Sequence, residues 1–151
     1  MVSSYTIAYI ALGANVNNPR YQLQTALQHI EKIAQTTVLV ASSLYETKPL
    51  GSQDQPDYIN QVIAVETGLA AHELLLTLQD IEHQMGRVRT VRWGPRVIDC
   101  DILLYGDTVI DLPDLKIPHP EMKNRDFVLY PLAEIAPDLV LPCGTAVCHL
   151  T

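Results

Sequence analysis

Cysteine is scarce in this sequence: three residues in 151. An odd and low count excludes a disulfide framework and fits a reducing, cytoplasmic setting. Cys143 and Cys148, with His149 beside them, lack the spacing and the fourth ligand of a metal site. Basic side chains are also few. Ten Lys plus Arg stand against 17 Asp plus Glu, for a formal net charge of -7. That balance argues against a general nucleic-acid-binding face, so any anion must be held locally. Hydrophobic residues make up 48% of the chain, yet no apolar run approaches the roughly 20 residues needed to span a membrane. The opening "MVSSYTIAYIALGAN" has neither a basic segment nor a clear cleavage site and reads as a first strand rather than a signal peptide. Neither G-x-x-x-x-G-K-[ST] nor G-x-G-x-x-G occurs, so a nucleotide would not be held by a P-loop or a glycine-rich kinase loop. There are no repeats and no linker. One domain over residues 1–151 is expected, of a length that suits a stand-alone protein.

Periodicity supplies the elements. Tyr5 to Gly13 is rich in β formers and ends in glycine. Asn18 is placed to cap a helix, Pro19 suits its first position, and Leu23, Leu27, Ile30 and Ile33 recur at helical spacing. Thr36 to Thr47 reads as a second strand, Lys48 to Asp57 as a polar loop long enough to hint at function, and Tyr58 to Thr67 as a third strand. A second helix follows, with Leu74, Leu78, Ile81 and Met85 as its core stripe and Gly86 at its end. Val97 to Tyr105 is a fourth strand, and a short helix is expected near Val128 to Ile135. The order β-α-β-β-α-β predicts an α+β, ferredoxin-like core. Its mainly antiparallel sheet has helices packed on one face and leaves the other face for a site unless later segments cover it.

The chemistry concentrates in "GRVRTVRWGPRVIDCDILLYG". Arg87, Arg89, Arg92 and Arg96 fall within ten residues around Trp93, and Asp99 and Asp101 follow. Alternation along a strand puts both aspartates on one face, roughly 7 Å apart, with Ile98, Cys100, Ile102 and Leu104 on the other. A bare D-x-D is most often a solvated strand face, and clustered arginines are most often surface ion pairs. Together they match the equipment for a polyphosphate: carboxylates for Mg²⁺ and guanidinium groups for phosphate oxygens. On the third strand Tyr58 and Asn60 share a face, a ring for stacking and an amide that suits a heterocycle with an amide-like edge. Leu75, Gln79 and Glu82 form a line beside the helix core stripe, and His119, Lys123, Arg125 and Phe127 crowd one irregular stretch.

These segments, "YIALGAN", "ETKPLGSQDQPDYIN", "RWGPRVIDCD" and "PHPEMKNRDF" among them, closely resemble the 6-hydroxymethyl-7,8-dihydropterin pyrophosphokinases of folate biosynthesis, from about Tyr9 to Pro142. The resemblance implies a soluble enzyme, expected to be a monomer, that moves pyrophosphate from ATP to the pterin hydroxymethyl group with two Mg²⁺ ions and releases AMP. It implies metal binding by Asp99 and Asp101, and phosphate binding and transfer by Arg87 and Arg96, with Arg89 in the same loop. Tyr58 and Phe127 would sandwich the pterin, Thr47, Leu50 and Asn60 would hold its edge, and Trp93 would close over the site. Leu75, Gln79, Glu82, Ile102, Leu115, Lys116, His119 and Arg125 match ATP-side positions. The chain departs from the family pattern at Asp114, where a basic residue is frequent, at Pro120, where an aromatic is frequent, and at Lys116. Its arginine loop is one residue shorter. The residues alone leave open a Mg²⁺-dependent nucleotide hydrolase or nucleotidyltransferase, and a small nucleic-acid-binding domain that the net charge disfavours.

Overall fold

Two alternating sets of side chains along the first strand organise the molecule. The computed structural model describes residues 5–16, 18–47, 57–86 and 97–150. In it, strand β1 (Thr6–Ala14) runs through the middle of a mixed-length sheet. Ala8, Ile10, Leu12 and Ala14 point to one face and are at most 1% exposed, while Tyr9, Ala11 and Gly13 point to the other. Helices α1 (Pro19–Glu31) and α2 (Ala71–Gln84) cover the first face. They contribute Leu23, Ala26, Ile30, Leu74, Leu78 and Ile81 to a core shared with Ile59, Ile63 and Val65 of β4 (Tyr58–Thr67) and with Ile98, Cys100 and Ile102 at and beside β5 (Asp99–Tyr105). Burying one such isoleucine or leucine stabilises the fold by about 1.5–3 kcal/mol.

The sheet runs β2-β4-β1-β5 with every pairing antiparallel, the expected ferredoxin-like order. The second strand divides into β2 (Thr36–Ala41) and β3 (Tyr45–Thr47), both paired to β4. Ser42 explains the break. Its N–H donates to the Val62 carbonyl at 2.9 Å, but its hydroxyl, not its carbonyl, accepts the Val62 N–H at 3.0 Å. The displaced Ser42 carbonyl is taken by Gln61 Nε2 at 2.8 Å. A side chain has substituted for a ladder group, and pairing resumes one residue out of step.

Two further local expectations change. Asn18 adopts a left-handed conformation, φ 62°, and caps α1 through its carbonyl to Gln22 N–H rather than through its side chain, a backbone state asparagine tolerates well. Pro19 does open the helix, and Gly86, φ 88°, closes the turn after α2 as anticipated. Leu104 lies on the opposite face from Ile102. Against β1 the register of β5 slips by one between Tyr9–Leu104 and Ile10–Ile102, leaving Leu103 as a bulge. Alternation therefore reverses there. Leu103 and Leu104 join the second-face cluster, and Tyr105 turns back to the first face, where its hydroxyl donates to the Leu69 carbonyl.

After β5, a hairpin of β6 (Ile110–Leu112) and β7 (Leu115–Ile117) turns through Pro113 and Asp114. A 3₁₀ turn, Met122–Asn124, leads into α3 (Asp126–Ile135). Val128 and Leu132 of α3, with Met122, Leu141 and Val147, pack on Val62, Tyr9, Ala11 and Leu104. These later segments cover part of the second face.

Candidate active site

Strand register places the functional side chains in rows across the second face, because directly opposed residues of antiparallel strands share a face. Tyr45, Asn60, Gly13 and Asp99 stand abreast on β3, β4, β1 and β5. Val62, Ala11 and Asp101 form the next row, and Thr47 pairs with Tyr58 on the outer side. Asp99 and Asp101 are half-buried and on one face, as alternation requires. Asn60 is buried, and its Nδ2 donates to Thr47 Oγ1 at 2.8 Å. Tyr58 is half-buried at the start of β4.

The bulge at Leu103 positions the next contributor. Its carbonyl accepts the N–H of His119 at 2.9 Å, which draws the chain after β7 back across the end of the sheet. His119 Nδ1 accepts the Glu121 N–H at 3.2 Å, so the neutral ring carries its proton on Nε2. Burial pushes its pKa below the ordinary histidine value, Arg125 pushes the same way, and the charges of Asp101 and Glu121 oppose the shift. Arg125 in turn lies over the Phe127 ring, its Cζ 5.6 Å from the centroid.

A second group gathers by the outer edge of β5. Glu82 of α2, 7% exposed, accepts the Cys100 N–H through Oε2 at 2.7 Å. Leu75, Ile102 and Leu115 belong to the same apolar cluster as the α2 stripe. Gln79 is exposed one turn from both Leu75 and Glu82. Lys116 is exposed and pairs with Asp111 across the hairpin. Asp114, at the hairpin turn, pairs with His72 at the start of α2, 2.8 Å away. Lys123 does not join His119 and Arg125. Its Nζ lies 3.1 Å from Cys143 Sγ, and Thr145 first, then Lys123, lower that thiol to about 7. Leu50, Arg87, Arg89, Arg92, Trp93 and Arg96 lie outside the described residues, as do most of the two loops that carry them.

The sequence reading missed the floor and one clamp. Ala11 and Gly13 are the small residues of "YIALGAN", and the change from large to small along alternate positions was the available signal. On α3, Glu134 accepts from Ser43 N–H and hydroxyl, both at 2.9 Å, and from the Tyr45 hydroxyl at 2.7 Å. These bonds hold its carboxyl below the usual carboxylate range and tie α3, which carries Phe127, to β3, which carries Thr47. No local pattern announces a contact between residues about ninety positions apart.

Chemically, the second face offers two oxygen ligands of the kind Mg²⁺ takes, a buried amide, aromatic rings and a neutral imidazole N–H donor. Among the described residues no group of three or more His, Cys, Asp or Glu is placed to hold a metal. A two-carboxylate set suits an ion that completes its shell with substrate phosphates and water.

Comparison with known proteins agrees with this inventory. Residues 9–137 match the family model for 7,8-dihydro-6-hydroxymethylpterin-pyrophosphokinase, HPPK. The 2-amino-4-hydroxy-6-hydroxymethyldihydropteridine pyrophosphokinase of Pseudomonas aeruginosa is 53% identical over 136 residues, covering 90% of this chain and 84% of that one. The Haemophilus influenzae protein of the same name is 52% identical over 143 residues, covering 95% and 89%. Among solved structures, the Plasmodium falciparum HPPK-DHPS protein with pteroate superposes with a TM-score of 0.79 at 16% identity, over 99% of this chain and 42% of that chain. The chain thus spans less than half of that longer protein and most of the two bacterial ones. On sequence and fold together, this chain belongs to the 7,8-dihydro-6-hydroxymethylpterin-pyrophosphokinase family.

Proposed function

We propose that the second sheet face is the surface on which this chain carries out its family's reaction. The chain is an ATP-dependent pyrophosphokinase: it transfers pyrophosphate from ATP to the hydroxymethyl group of 6-hydroxymethyl-7,8-dihydropterin in folate synthesis. The observation that supports this placement is the row Asn60–Gly13–Asp99. It sets an amide suited to a heterocycle edge and a carboxylate pair on one face, two strands and therefore roughly 10 Å apart, a span a pterin ring and its hydroxymethyl arm can bridge.

In this reading Tyr58 and Phe127 hold the ring from its two sides. Asn60, Thr47 and Leu50 pair with its edge, and Trp93 closes over it. Arg87 and Arg96 face the triphosphate, with Arg89 guiding their loop. Leu75, Gln79, Glu82, Ile102, Leu115, Lys116, His119 and Arg125 form the nucleotide side. His119, kept neutral by burial, offers Nε2–H to a phosphate oxygen without adding a further charge. Lys116 must exchange Asp111 for the nucleotide to act there. Asp99 and Asp101 would hold two Mg²⁺ ions together with ATP, and those ions would supply positive charge against the oxygens of the group in transfer. The residues themselves align two substrates and place fixed cations where negative charge grows, which accounts for most of the acceleration expected of such a site.

The same reading makes the chain one domain over residues 1–151, a monomer working in the cytoplasm on small molecules, not on nucleic acid or membrane. Among the described residues no helix is long and apolar enough to cross a membrane. Nucleotide product analysis tests the reaction. AMP and a pterin diphosphate should appear together, and only when the hydroxymethyl pterin is present. Free phosphate or pyrophosphate formed without the pterin would favour a nucleotide hydrolase instead.

A further inference from the structure

Gly13 stands in the middle of the site row, directly opposite Asn60 on β4 and Asp99 on β5. Its backbone does not need a glycine: among the described glycines, the left-handed φ values fall at Gly86, Gly106 and Gly144. A glycine within a strand weakens it relative to residues with side chains. The reason for it therefore lies in space. A Cβ built on Gly13 would come 3.0 Å from Asn60 Oδ1, and the next atom, the Ile59 carbonyl oxygen, is 3.9 Å away. Among the described residues the close conflict is with the amide alone. That amide is buried and already held on its other side, where Nδ2 donates to Thr47 Oγ1 at 2.8 Å. To admit a methyl group it must give by a few tenths of an ångström, which tilts it against the Thr47 bond.

We propose that Gly13 is a specificity-determining position for the pterin, acting through Asn60: its missing side chain lets the Asn60 amide lie over β1 in the one orientation that Thr47 fixes. This rests on the assignment of Asn60 to the pterin edge made above. With one Nδ2 hydrogen on Thr47, the second N–H and Oδ1 are left to meet a ring carbonyl and the adjacent ring N–H. That pair of groups defines the lactam edge of a pterin and is absent from rings lacking either partner. Gly13 and Thr47 act as positioning residues on opposite sides of the amide.

Calorimetry on the full chain tests this, with 6-hydroxymethylpterin titrated in the presence of Mg²⁺ and a non-hydrolysable ATP analogue. Gly13→Ala should weaken pterin binding about five- to tenfold, the scale of one hydrogen bond lost from alignment. Affinity for the ATP analogue should stay within about twofold, and the melting temperature should shift by only a few degrees, because the better strand propensity of alanine partly offsets the strained amide. Thr47→Val should give the same selective loss, and Thr47→Ser should restore binding. A merely structural role would lower stability or both affinities together. Pterin binding by Gly13→Ala within about twofold of wild type, or a loss shared equally by the ATP analogue, would overturn the proposal. Should Gly13→Ala not fold, Gly13→Ala combined with Asn60→Ala decides it: folding regained by removing the amide supports the conflict, and a double variant that fails to fold where Asn60→Ala alone folds would overturn it. A wild-type chain that binds no pterin at all would overturn the underlying assignment instead.

Discussion

Towards the helices, β1 presents Ala8, Ile10, Leu12 and Ala14; towards the candidate site it presents Tyr9, Ala11 and Gly13. The first set is packed by α1 and α2 into one aliphatic interior. The second is covered by α3 and the C-terminal segment around Tyr9 and Ala11 and shrinks to a bare backbone between Asn60 and Asp99. One strand thus supplies stability on one side and room on the other, because each residue answers to only one face. Substitutions on the two sides should fail in different ways.

The largest separation is expected between Asp101→Ala and Ile10→Ala. Removing the half-buried Asp101 carboxylate should cut turnover roughly 10³-fold, the upper scale for deleting one electrostatic stabiliser, with little change in melting temperature. Asp99→Ala should behave alike. Ile10 is fully buried, and its truncation should cost about 2–5 kcal/mol of stability while the folded fraction keeps its turnover. Denaturant titration beside steady-state kinetics separates the two effects. A catalytically normal Asp101→Ala at low millimolar Mg²⁺ would erase the distinction between the faces.

A smaller effect sharpens the second face itself. Tyr58→Ala and Phe127→Ala should each weaken pterin binding by about 1–3 kcal/mol, the scale of losing a stacking partner, with ATP-analogue affinity nearly unchanged. Calorimetry showing the greater loss on the nucleotide side would displace the ring from between them. The smallest effect concerns the clamp that joins the walls. Glu134 is held below its ordinary pKa by Tyr45 and Ser43, so its contribution to stability is present above the ordinary carboxylate range and is lost as pH falls through the folded value. Because Glu134 is exposed and its bonds are screened by water, Glu134→Gln should lower the melting temperature by no more than about 1–2 degrees at neutral pH, and the gap from wild type should close on acidification. A gap that persists undiminished in acid would show that the carboxylate charge is not what the clamp uses.

Much of this was legible in the sequence where one period governs one element. The α1 and α2 stripes, the β4 run and the placement of Asp99 and Asp101 on one face followed from spacing alone. What spacing does not carry is exchange between side chain and backbone. Ser42 split the expected strand because its hydroxyl took the Val62 N–H, and nothing in "VASSLY" marks which serine will do so. Leu104 changed faces because Leu103 bulges against β1, an event set by the partner strand. The β6–β7 hairpin escaped notice because its strands are three residues each, too short for a period, although Pro113 and Asp114 were a turn signal. Lys123 went to Cys143 rather than to the basic cluster, since neighbours in sequence within a 3₁₀ turn fan out in space.

The bulge at Leu103 also bears on how this protein can change over evolutionary time. It divides β5 into two segments with independent phase. Losing Cys100 would make Asp99 and Asp101 consecutive and so put them on opposite faces, turning one carboxylate under the helices. Losing Leu103 itself would leave both aspartates in place, because they are aligned to β1 by Ala11 and Gly13. Leu104 would stay opposite Tyr9 on the second face and Tyr105 on the first, because removing the bulged residue only makes the ladder regular. That loss would, however, remove the carbonyl that tethers His119. Length variation among descendants of this chain should therefore be tolerated in the turns beyond Tyr105 and purged between Ile98 and Leu104.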